Sequence, residues 1–337
     1  MSTDSTLART LHQFFLHYLP QQRATSPHTV QSYRDSLKLL LKFVVNQVGG
    51  GNQLEVEQIT VERVLAFLAH LESARPNGAS TRNVRLSAIH SFFRDLGAQS
   101  VQHLALSQRI RCIPFKRTGS REIQHLEQTE IKAVINGLDR ATPAGRRDHA
   151  LLSLLFNSGA RVSEVVALKA CDFRLASPPH VLLKGKGNKE RTCPLWTETA
   201  NVLREYLEEQ HLAPHDEAKS VFANQCGQPL TRFGIRFIVK KHVRHAAAHV
   251  PSLRRKRIHP HSFRHSTAIF LLRSGVDLST IAHWLGHASV NTTNKYLKVD
   301  LDTKRAALAK AKPLFRRTRK TGAWRKNPDL VGWLEAL

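Results

Sequence analysis

The segment PHSFRHSTAIFLLRSGVDLSTIAHWLGH, residues 260–287, carries two helix patterns joined by a turn. Its apolar residues predict helices over Pro260–Arg273 and Leu278–Leu285. His261 and Arg264 are three residues apart, so the first of these helices would place both on one face. An imidazole beside a guanidinium suits an anion, although the same spacing alone also fits a basic helix surface.

The whole chain is strongly basic. Its 337 residues contain 51 Lys and Arg against 26 Asp and Glu, which gives a net charge of +25. Such an excess attracts polyanions, so nucleic acid is the expected partner and a solvated basic surface is the alternative. The length predicts about two domains.

Membrane and secreted classes of protein are not expected. The sequence has no run of about 18 apolar residues, and its first residues lack a basic segment followed by an apolar one. Cys112, Cys171, Cys193 and Cys226 are far apart and lack paired metal spacing, which predicts free thiols in a reducing compartment. We therefore expect a cytoplasmic protein without membrane contact.

The first third of the chain, residues 1–112, shows helix patterns and no strand pattern. Thr60 would cap one helix, and Ser80 or Thr81 would cap another, which Gly97 would end. Four or five helices are predicted in this region.

The rest of the chain adds one hairpin to further helices. The pattern becomes that of short strands at His180–Lys184 and Arg191–Leu195, which are joined by the glycine-rich turn GKGNKE. Lys186 lies at the tip of this turn, where a flexible ammonium could reach into a groove. The two glycines beside it fit an ordinary turn equally well.

Two shorter motifs flank these elements. In Gly159-Ala-Arg-Val-Ser-Glu164, the arginine follows a helix end and Glu164 lies one turn later, as an orienting partner or as an exposed carboxylate. In Leu285-Gly-His287, the glycine suits a turn with positive φ. Tyr296 follows His287 by nine residues. Each residue alone fits an ordinary structural role.

Taken together, the motifs match a known family in order and spacing. ARVSE, GKGNKER, HSFRH, LGH and the tyrosine nine residues after the last histidine resemble the tyrosine recombinase, or phage integrase, family, in particular its Xer-like branch. The resemblance extends over nearly the whole chain. The positions that match the family's catalytic residues are Arg161, Lys186, His261, Arg264, His287 and Tyr296, with Glu164 at the supporting acidic position.

The resemblance implies a mainly α fold with a small β-sheet in the catalytic domain, arranged as a two-domain C-shaped DNA clamp. We expect a helical, SAM-like core-binding domain at residues 1–112, a linker at 113–124, a catalytic domain at 125–312 and a basic C-terminal tail at 313–337. Family members often exchange a C-terminal segment between neighbouring subunits, and the apolar residues 330–337 are the candidate segment here.

A mechanism is implied as well. The two arginines would bind the non-bridging oxygens of a DNA phosphodiester, and Tyr296 would attack its phosphorus to form a 3′-phosphotyrosyl link. His261 would accept the phenolic proton, Lys186 would protonate the departing 5′-oxygen, and His287 would hydrogen-bond a phosphate oxygen. One phosphoester replaces another, so neither ATP nor any other cofactor is expected.

The predicted function is site-specific DNA recombination, with double-stranded DNA as partner and a homotetramer on two DNA sites, alone or with a related recombinase. A nucleoid-associated protein of a bacterial-type cytoplasm is expected. The basic tail favours integration or excision of a mobile element. Relaxation of supercoils by a type IB topoisomerase and non-catalytic DNA binding by a repressor are the alternatives.

Further basic residues are candidates for DNA contact. His242, His245 and His249 have a spacing that could bind zinc, but no carboxylate or cysteine completes the set and cations adjoin it, so no metal is predicted. We interpret this stripe as facing DNA. Phosphate contacts are also expected from Arg232, Arg236, Lys240, Lys241, Arg254, Arg255, Lys256 and Arg257.

Overall fold

The chain forms two compact units, residues 1–121 and 122–337, in a computed structural model. The structure describes residues 6–49, 54–74, 78–119, 123–185, 189–213 and 219–286, together with residues 216, 293, 294, 296, 332 and 336. Each unit has its own apolar core. Among the helices in these ranges, none has the length and apolar content that a bilayer crossing requires.

The first unit is helical in all the secondary structure that its described residues form. Its elements are α1 (Thr6–Gln13), a π-helical segment (Phe14–Gln22), α2 (Pro27–Val48), α3 (Val61–Ser73), α4 (Ala79–Gln99) and α5 (Leu104–Arg111). As predicted, Thr60 caps α3, because its side-chain oxygen accepts a hydrogen bond from the backbone N–H of Arg63 at 3.3 Å. Phe14, Phe92 and Phe93 fill the centre of the core.

The predicted limits of α4 were wrong at both ends. The helix begins at Ala79 after Gly78, and no side chain caps it, so Ser80 and Thr81 lie inside its first turn. The helix continues through Gly97 to Gln99. Gly97 does not end the helix; its small size matters for packing against α5. A Cβ at this position would lie 2.8 Å from the Cβ of Ser107 in α5, so the glycine allows the two helices to approach closely.

The chain after α5 remains attached to the first unit as far as Lys116. Ile113 is buried, and the side chain of Asn83 in α4 pairs with the backbone of Lys116 in both directions, at 2.7 and 3.0 Å. The Lys116 ammonium lies 2.8 Å from a carboxylate oxygen of Glu72. The first residues of the proposed linker, 113–116, are therefore fixed to the helical unit by hydrogen bonds.

The second unit combines seven α-helices with one small sheet among its described residues. The helices are α6 (Gln128–Asn136), α7 (Pro143–Ser158), α8 (Val162–Val166), α9 (Thr197–Glu209), α10 (Arg232–Ala246), α11 (Pro260–Arg273) and α12 (Leu278–Leu285). The strands are β1 (Phe173–Arg174), β2 (His180–Lys184) and β3 (Glu190–Pro194). The predicted bounds of α11 and α12 are confirmed.

The sheet is antiparallel in the order β1-β2-β3. The predicted hairpin is confirmed, with Val181 opposite Cys193 and Lys184 opposite Glu190. Strand β1 was not predicted, because two residues are too few to show an alternating pattern. Val181, Leu183 and Cys193 are buried in the core, so both strands of the hairpin are anchored to the second unit.

Helix α7 lies at the centre of the second unit, and Leu151, Leu152, Leu154 and Leu155 in it are fully buried. It packs against α9 and α11. The helix ends where Gly159 takes the left-handed conformation, with φ at +57°. A Cβ on Gly159 would lie 2.6 Å from a methyl carbon of Leu285, so only glycine fits this helix end.

The interpretation of the histidine stripe as a DNA-facing surface was wrong for His242. Its side chain is buried, and Nε2 lies 2.7 Å from a carboxylate oxygen of Asp148 in α7. The other oxygen of Asp148 accepts hydrogen bonds from Arg147. The His242 imidazole therefore supplies a polar partner inside the core, where an isolated carboxylate would be costly. His245 and His249 remain exposed, with ring centroids 6.2 Å apart.

The aromatic centre of the first unit can be tested by truncation. We expect Phe14→Ala to lower the free energy of unfolding by about 3–5 kcal/mol, because it opens a cavity at a fully buried site. Leu16→Ala is the matched control in the same segment: Leu16 is 52% exposed and should change stability by less than about 0.5 kcal/mol. Urea unfolding of the full chain, followed by circular dichroism, measures both. Equal losses for the two variants would contradict the assigned core.

Candidate active site

Arg161 is placed by the junction between α7 and α8. The chain leaves α7 through Gly159, and Arg161 then begins α8. Its backbone N–H and its guanidinium both donate to the Glu164 carboxylate, each at 2.8 Å. A second guanidinium nitrogen donates to the carbonyl of Gly286 at 3.1 Å. Both terminal nitrogens of the guanidinium are therefore held by hydrogen bonds, while about a third of the side chain remains accessible.

Arg264 lies one turn into α11 and is 4% exposed. Its guanidinium donates to the carbonyl of Gly159 at 2.7 Å and to the carbonyl of Leu285. Arg161 and Arg264 thus bind successive carbonyls at the end of α12, which brings the two predicted arginines together. Burial and the nearby charges of Arg161 and Arg191 lower the pKa of Arg264 to about 10, so it remains protonated at neutral pH.

Glu164 is the single carboxylate that the described residues place among these arginines. It is 2% exposed and lies between Arg161 and Arg191, and Arg191 contributes a bidentate pair with distances of 2.9 and 2.8 Å. Burial favours the neutral carboxyl, but the hydrogen bonds and charges of the two arginines outweigh burial and hold the pKa of Glu164 below its ordinary value. Glu164 therefore fixes the positions of both guanidiniums.

Arg191 was missed as a functional candidate by sequence reasoning. It lies in β3, where its Nε donates to the carbonyl of Trp284 at 2.9 Å and its other nitrogens reach Glu164. It is the final residue of the quoted motif GKGNKER, which was a usable signal. Nothing in that motif, however, shows that an arginine at a strand start turns inward towards a carboxylate 27 residues away.

Tyr296 belongs to a second, apolar part of the site. It is 1% exposed and packs in a cluster with Ile269, Ile281 and Leu285. Burial raises the pKa of its phenol to about 12, and the charge of Arg264 opposes this rise. The candidate nucleophile is thus electrostatically coupled to one of the predicted arginines.

Tyr296 contacts a histidine that was not among the predicted catalytic residues. The phenolic oxygen of Tyr296 lies 2.9 Å from Nδ1 of His265, whereas His261 occupies the exposed first turn of α11, with its ring 6.1 Å from that of His259. His265 follows Arg264 directly in the motif HSFRH. Because Tyr296 is 31 residues away, sequence spacing could not distinguish these two histidines as its partner.

Lys186 and His287 lie outside the described residues. Their described neighbours adjoin the arginine cluster: a Cβ on Gly185 would lie 3.2 Å from a carboxylate oxygen of Glu164, and the Gly286 carbonyl binds Arg161. As predicted, Gly286 has a positive φ, at +62°. A Cβ there would lie 3.0 Å from Arg191, so the cluster packs directly on glycine backbone.

The other basic candidates divide into two groups. Lys256 is held within the protein, because its ammonium lies 2.6 Å from Glu130 and 3.1 Å from the carbonyl of His125. The remaining candidates are exposed on α10 and on the segment before α11: Arg232, Arg236, Lys240, Lys241, Arg254, Arg255 and Arg257.

In the described part of the chain, no group of three or more metal-binding side chains comes together.

The shared carboxylate can be tested by pH. Glu164→Gln should lower the free energy of unfolding at pH 7 by roughly 2 kcal/mol, because two guanidiniums lose a charged acceptor. A lowered pKa contributes stability above the ordinary value of 4.5, and this stability is lost as pH falls through the folded-state pKa. The difference between the native chain and the variant should therefore shrink in acid.

Urea unfolding from pH 7 to pH 3 measures this difference. Glu205→Gln, at an exposed position of α9, is the matched control and should unfold like the native chain across the range. A Glu164→Gln penalty that stays constant down to pH 3 would mean that this carboxylate is not held ionised by the arginines.

Two family models match the chain. The phage integrase family matches residues 124–302, and the phage integrase N-terminal SAM-like domain matches residues 13–100. The integrase/recombinase y4rC of Sinorhizobium fredii is 39% identical over the full length of both chains. The tyrosine recombinase XerC of Pelobacter propionicus is 32% identical, covering 92% of this chain and 97% of its own.

Two solved structures share the fold. The XerH site-specific recombinase bound to difH substrate has a TM-score of 0.64 at 23% identity, covering 86% of this chain and 81% of its own. The Tn1549 transposon integrase in complex with a circular intermediate DNA has a TM-score of 0.66 at 14% identity, covering 89% and 98%. With both domain models matched in order, the chain belongs to the phage integrase family of tyrosine-type site-specific recombinases.

Proposed function

We propose that the chain cleaves and rejoins duplex DNA at the cluster formed by Arg161, Arg264 and Tyr296. The observation that carries this assignment is the anchoring of both predicted arginines on the successive carbonyls of Leu285 and Gly286. Two guanidiniums fixed so close together are positioned to bind one phosphodiester from two directions. The family membership supports the reaction class, and the contacts of Arg161, Arg264 and Tyr296 support their assignment to the site.

The electrostatics of the cluster suit a transition state with growing negative charge. Arg161, Arg191 and Arg264 bring three positive charges and Glu164 brings one negative charge, which leaves two positive charges. The side chain of Arg264 binds neutral carbonyls, and in the described part of the chain no carboxylate hydrogen-bonds to it. Charge held in a partly buried site stabilises a pentavalent phosphorane more strongly than charge in water does.

Tyr296 is the proposed nucleophile and His265 the proposed proton acceptor. The phenolic proton would pass to Nδ1 of His265, which lies at hydrogen-bond distance, and the charge of Arg264 would stabilise the phenolate. The phenolate oxygen then bonds to phosphorus while the bond to the 5′-oxygen breaks. The departing 5′-oxygen takes a proton from Lys186, and the product is a 3′-phosphotyrosyl link with a free 5′-hydroxyl.

Strand exchange follows when the 5′-hydroxyl of a second strand attacks the phosphotyrosyl link. That step releases the phenol and restores a DNA phosphodiester, so the number of phosphoester bonds does not change. We propose that His287 hydrogen-bonds a phosphate oxygen during both steps, as the resemblance implies. Lys186 and His287 rest on sequence motifs alone.

The assembly and the biological role are also proposals. We propose that four copies act on two DNA sites, in the cytoplasm and at the nucleoid of a bacterium. The integration or excision of a mobile element is favoured over chromosome maintenance, because the full-length relative at 39% identity is named an integrase/recombinase.

The predicted basic tail, residues 313–337, lies outside the described residues except for Gly332 and Ala336.

The covalent intermediate provides the first test. On a nicked suicide duplex, the native chain should accumulate a DNA–protein adduct, and Tyr296→Phe should form none, because the variant lacks the attacking oxygen. Tyr206→Phe is the matched control: Tyr206 is also buried in the second unit, but its hydroxyl donates to the carbonyl of Val221. Denaturing gel electrophoresis measures the adduct. Adduct formation by Tyr296→Phe would remove Tyr296 from the role of nucleophile, and no adduct with the native chain would favour a non-catalytic DNA-binding protein.

A change in the leaving group distinguishes loss of the base, proposed as His265, from loss of the acid, proposed as Lys186. A substrate with sulfur in place of the bridging 5′-oxygen needs no proton on departure, because a thiol is far more acidic than an alcohol. We expect His265→Ala to slow cleavage by about 10²-fold on both substrates, because a positioned base is lost. The sulfur substrate should restore cleavage by Lys186→Ala.

His261→Ala is the direct comparison in this experiment. If His261 is the base, its variant will show the slow cleavage that sulfur does not restore, and His265→Ala will cleave at the native rate. That result would overturn the assignment of His265 and leave the proposed nucleophile intact.

A further inference from the structure

Helix α10 exposes two phenylalanines that the fold leaves uncovered. Phe233 is 79% exposed and Phe237 is 68% exposed, one helical turn apart. The opposite face of α10 is buried through Ile235, Ile238 and Val239, so the rotation of the helix about its axis is fixed. The two phenyl groups are therefore presented outward by a rigid element.

Cations alternate with these phenyl groups along the same stripe. Arg236, Lys240 and Arg244 follow Phe233 at the spacings that place residues on one face of a helix. All three are exposed and line one groove with the two phenylalanines. The surface therefore combines apolar rings and positive charge within a single helical face.

The far wall of the groove adds more positive charge. It is formed by Leu253, Arg254, Lys256, Arg257, Ile258 and His259. Lys256 is paired with Glu130, but Arg254 and Arg257 are exposed. Among the described residues, neither wall of this groove carries a carboxylate side chain, so its chemistry favours an occupant with negative charge.

The groove continues towards the candidate active site. His259 lines it, and the imidazole ring of His259 lies 6.1 Å from that of His261 in the first turn of α11. Arg264 lies one turn further along the same helix. A ligand whose phosphate is bound by Arg264 can therefore extend beside α10 without leaving the second unit.

We infer that Phe233 and Phe237 determine sequence preference by contacting the 5-methyl groups of thymines in the major groove. The major groove admits one α-helix, and thymine presents there the one apolar group that a base edge offers. Arg236 and Lys240 bind the flanking phosphates, which position the helix without reading sequence. This inference rests on the proposed function, because it takes duplex DNA as the ligand.

A second copy of the same groove is a poor occupant. Two such surfaces would bring their exposed arginines and lysines together without compensating carboxylates, and the chain as a whole carries a charge of +25. Duplex DNA supplies both the negative charge and the apolar methyl groups. An acidic protein partner is the remaining occupant that the chemistry allows, and native discrimination between thymine and uracil by both phenylalanine variants would favour it.

The experiment uses the full chain and duplexes selected by it from a random-sequence pool. Binding of these duplexes is compared with binding of the same duplexes in which deoxyuridine replaces thymidine, which removes only the 5-methyl groups. We expect the native chain to bind the uracil duplex about tenfold more weakly, within the range for loss of a base-pair contact. Phe233→Ala and Phe237→Ala should bind the thymine duplex as weakly as the native chain binds the uracil duplex, and should no longer distinguish the two.

The salt dependence separates the phenylalanines from the cations. Arg236→Ala and Lys240→Ala should each reduce the slope of log K against log salt by about 1 and keep the discrimination between thymine and uracil. The phenylalanine variants should keep the native slope. Val101→Ala, at an 89% exposed position of the first unit, is the apolar control and should match the native chain in both measurements.

The outcomes distinguish this inference from the proposed function. Equal binding of thymine and uracil duplexes by the native chain, or native discrimination by both phenylalanine variants, would overturn it even if the covalent adduct forms. Loss of self-association in the phenylalanine variants, with DNA discrimination intact, would identify a protein interface and would also overturn it. Discrimination without any covalent adduct would support α10 as the reading helix and would contradict the proposed chemistry.

Discussion

A buried carboxylate shared by two guanidiniums joins separate elements of the second unit. Glu164 in α8 binds Arg161 of the same turn and Arg191 of β3, and Arg191 also binds the carbonyl of Trp284 in α12. Three elements that are distant in the sequence are thereby joined through one acidic side chain. Breaking a buried pair of this kind leaves an uncompensated charge, so the arrangement is strongly constrained.

Carbonyl groups at helix ends orient the arginines of the same cluster. A site that binds a phosphate needs a net positive charge, but a carboxylate that fixes an arginine also cancels its charge. Here the carbonyls of Gly159, Leu285 and Gly286, at the ends of α7 and α12, accept hydrogen bonds from Arg161 and Arg264. The C-terminal end of a helix carries partial negative charge, so these carbonyls orient Arg264, and give Arg161 a second contact besides Glu164, without adding a full negative charge. The left-handed glycines at both helix ends are part of the same arrangement, because they allow the close approach of Leu285 and Arg191.

Much of this organisation could be predicted from local sequence. The bounds of α11 and α12, the hairpin and the positive φ of Gly286 follow from periodicity and turn chemistry, which act over a few residues. The mainly helical fold with a small sheet followed from the same patterns and from the family resemblance. The arginines and Glu164 were identified by motif, and the structure brings Arg161, Arg264 and Glu164 together.

The remaining features depend on tertiary packing. Gly97 looks like a helix end in the sequence, but it lies within α4 because α5 packs closely against it. In the sequence His242 looks like part of a basic stripe, but its side chain is buried and pairs with Asp148. The choice between His261 and His265 as partner of Tyr296, and the inward turn of Arg191, depend on residues far away in the sequence. No local pattern contains that information.

The proposal that Arg161 and Arg264 bind the same DNA phosphate is tested most directly by a structure of the full chain trapped on a nicked suicide duplex. We predict continuous density from the Tyr296 hydroxyl oxygen to a 3′-phosphate, with both guanidiniums at hydrogen-bond distance from the non-bridging oxygens of that same phosphate. A covalent link to another residue, or a bound phosphate contacted by neither arginine, would contradict the assigned site.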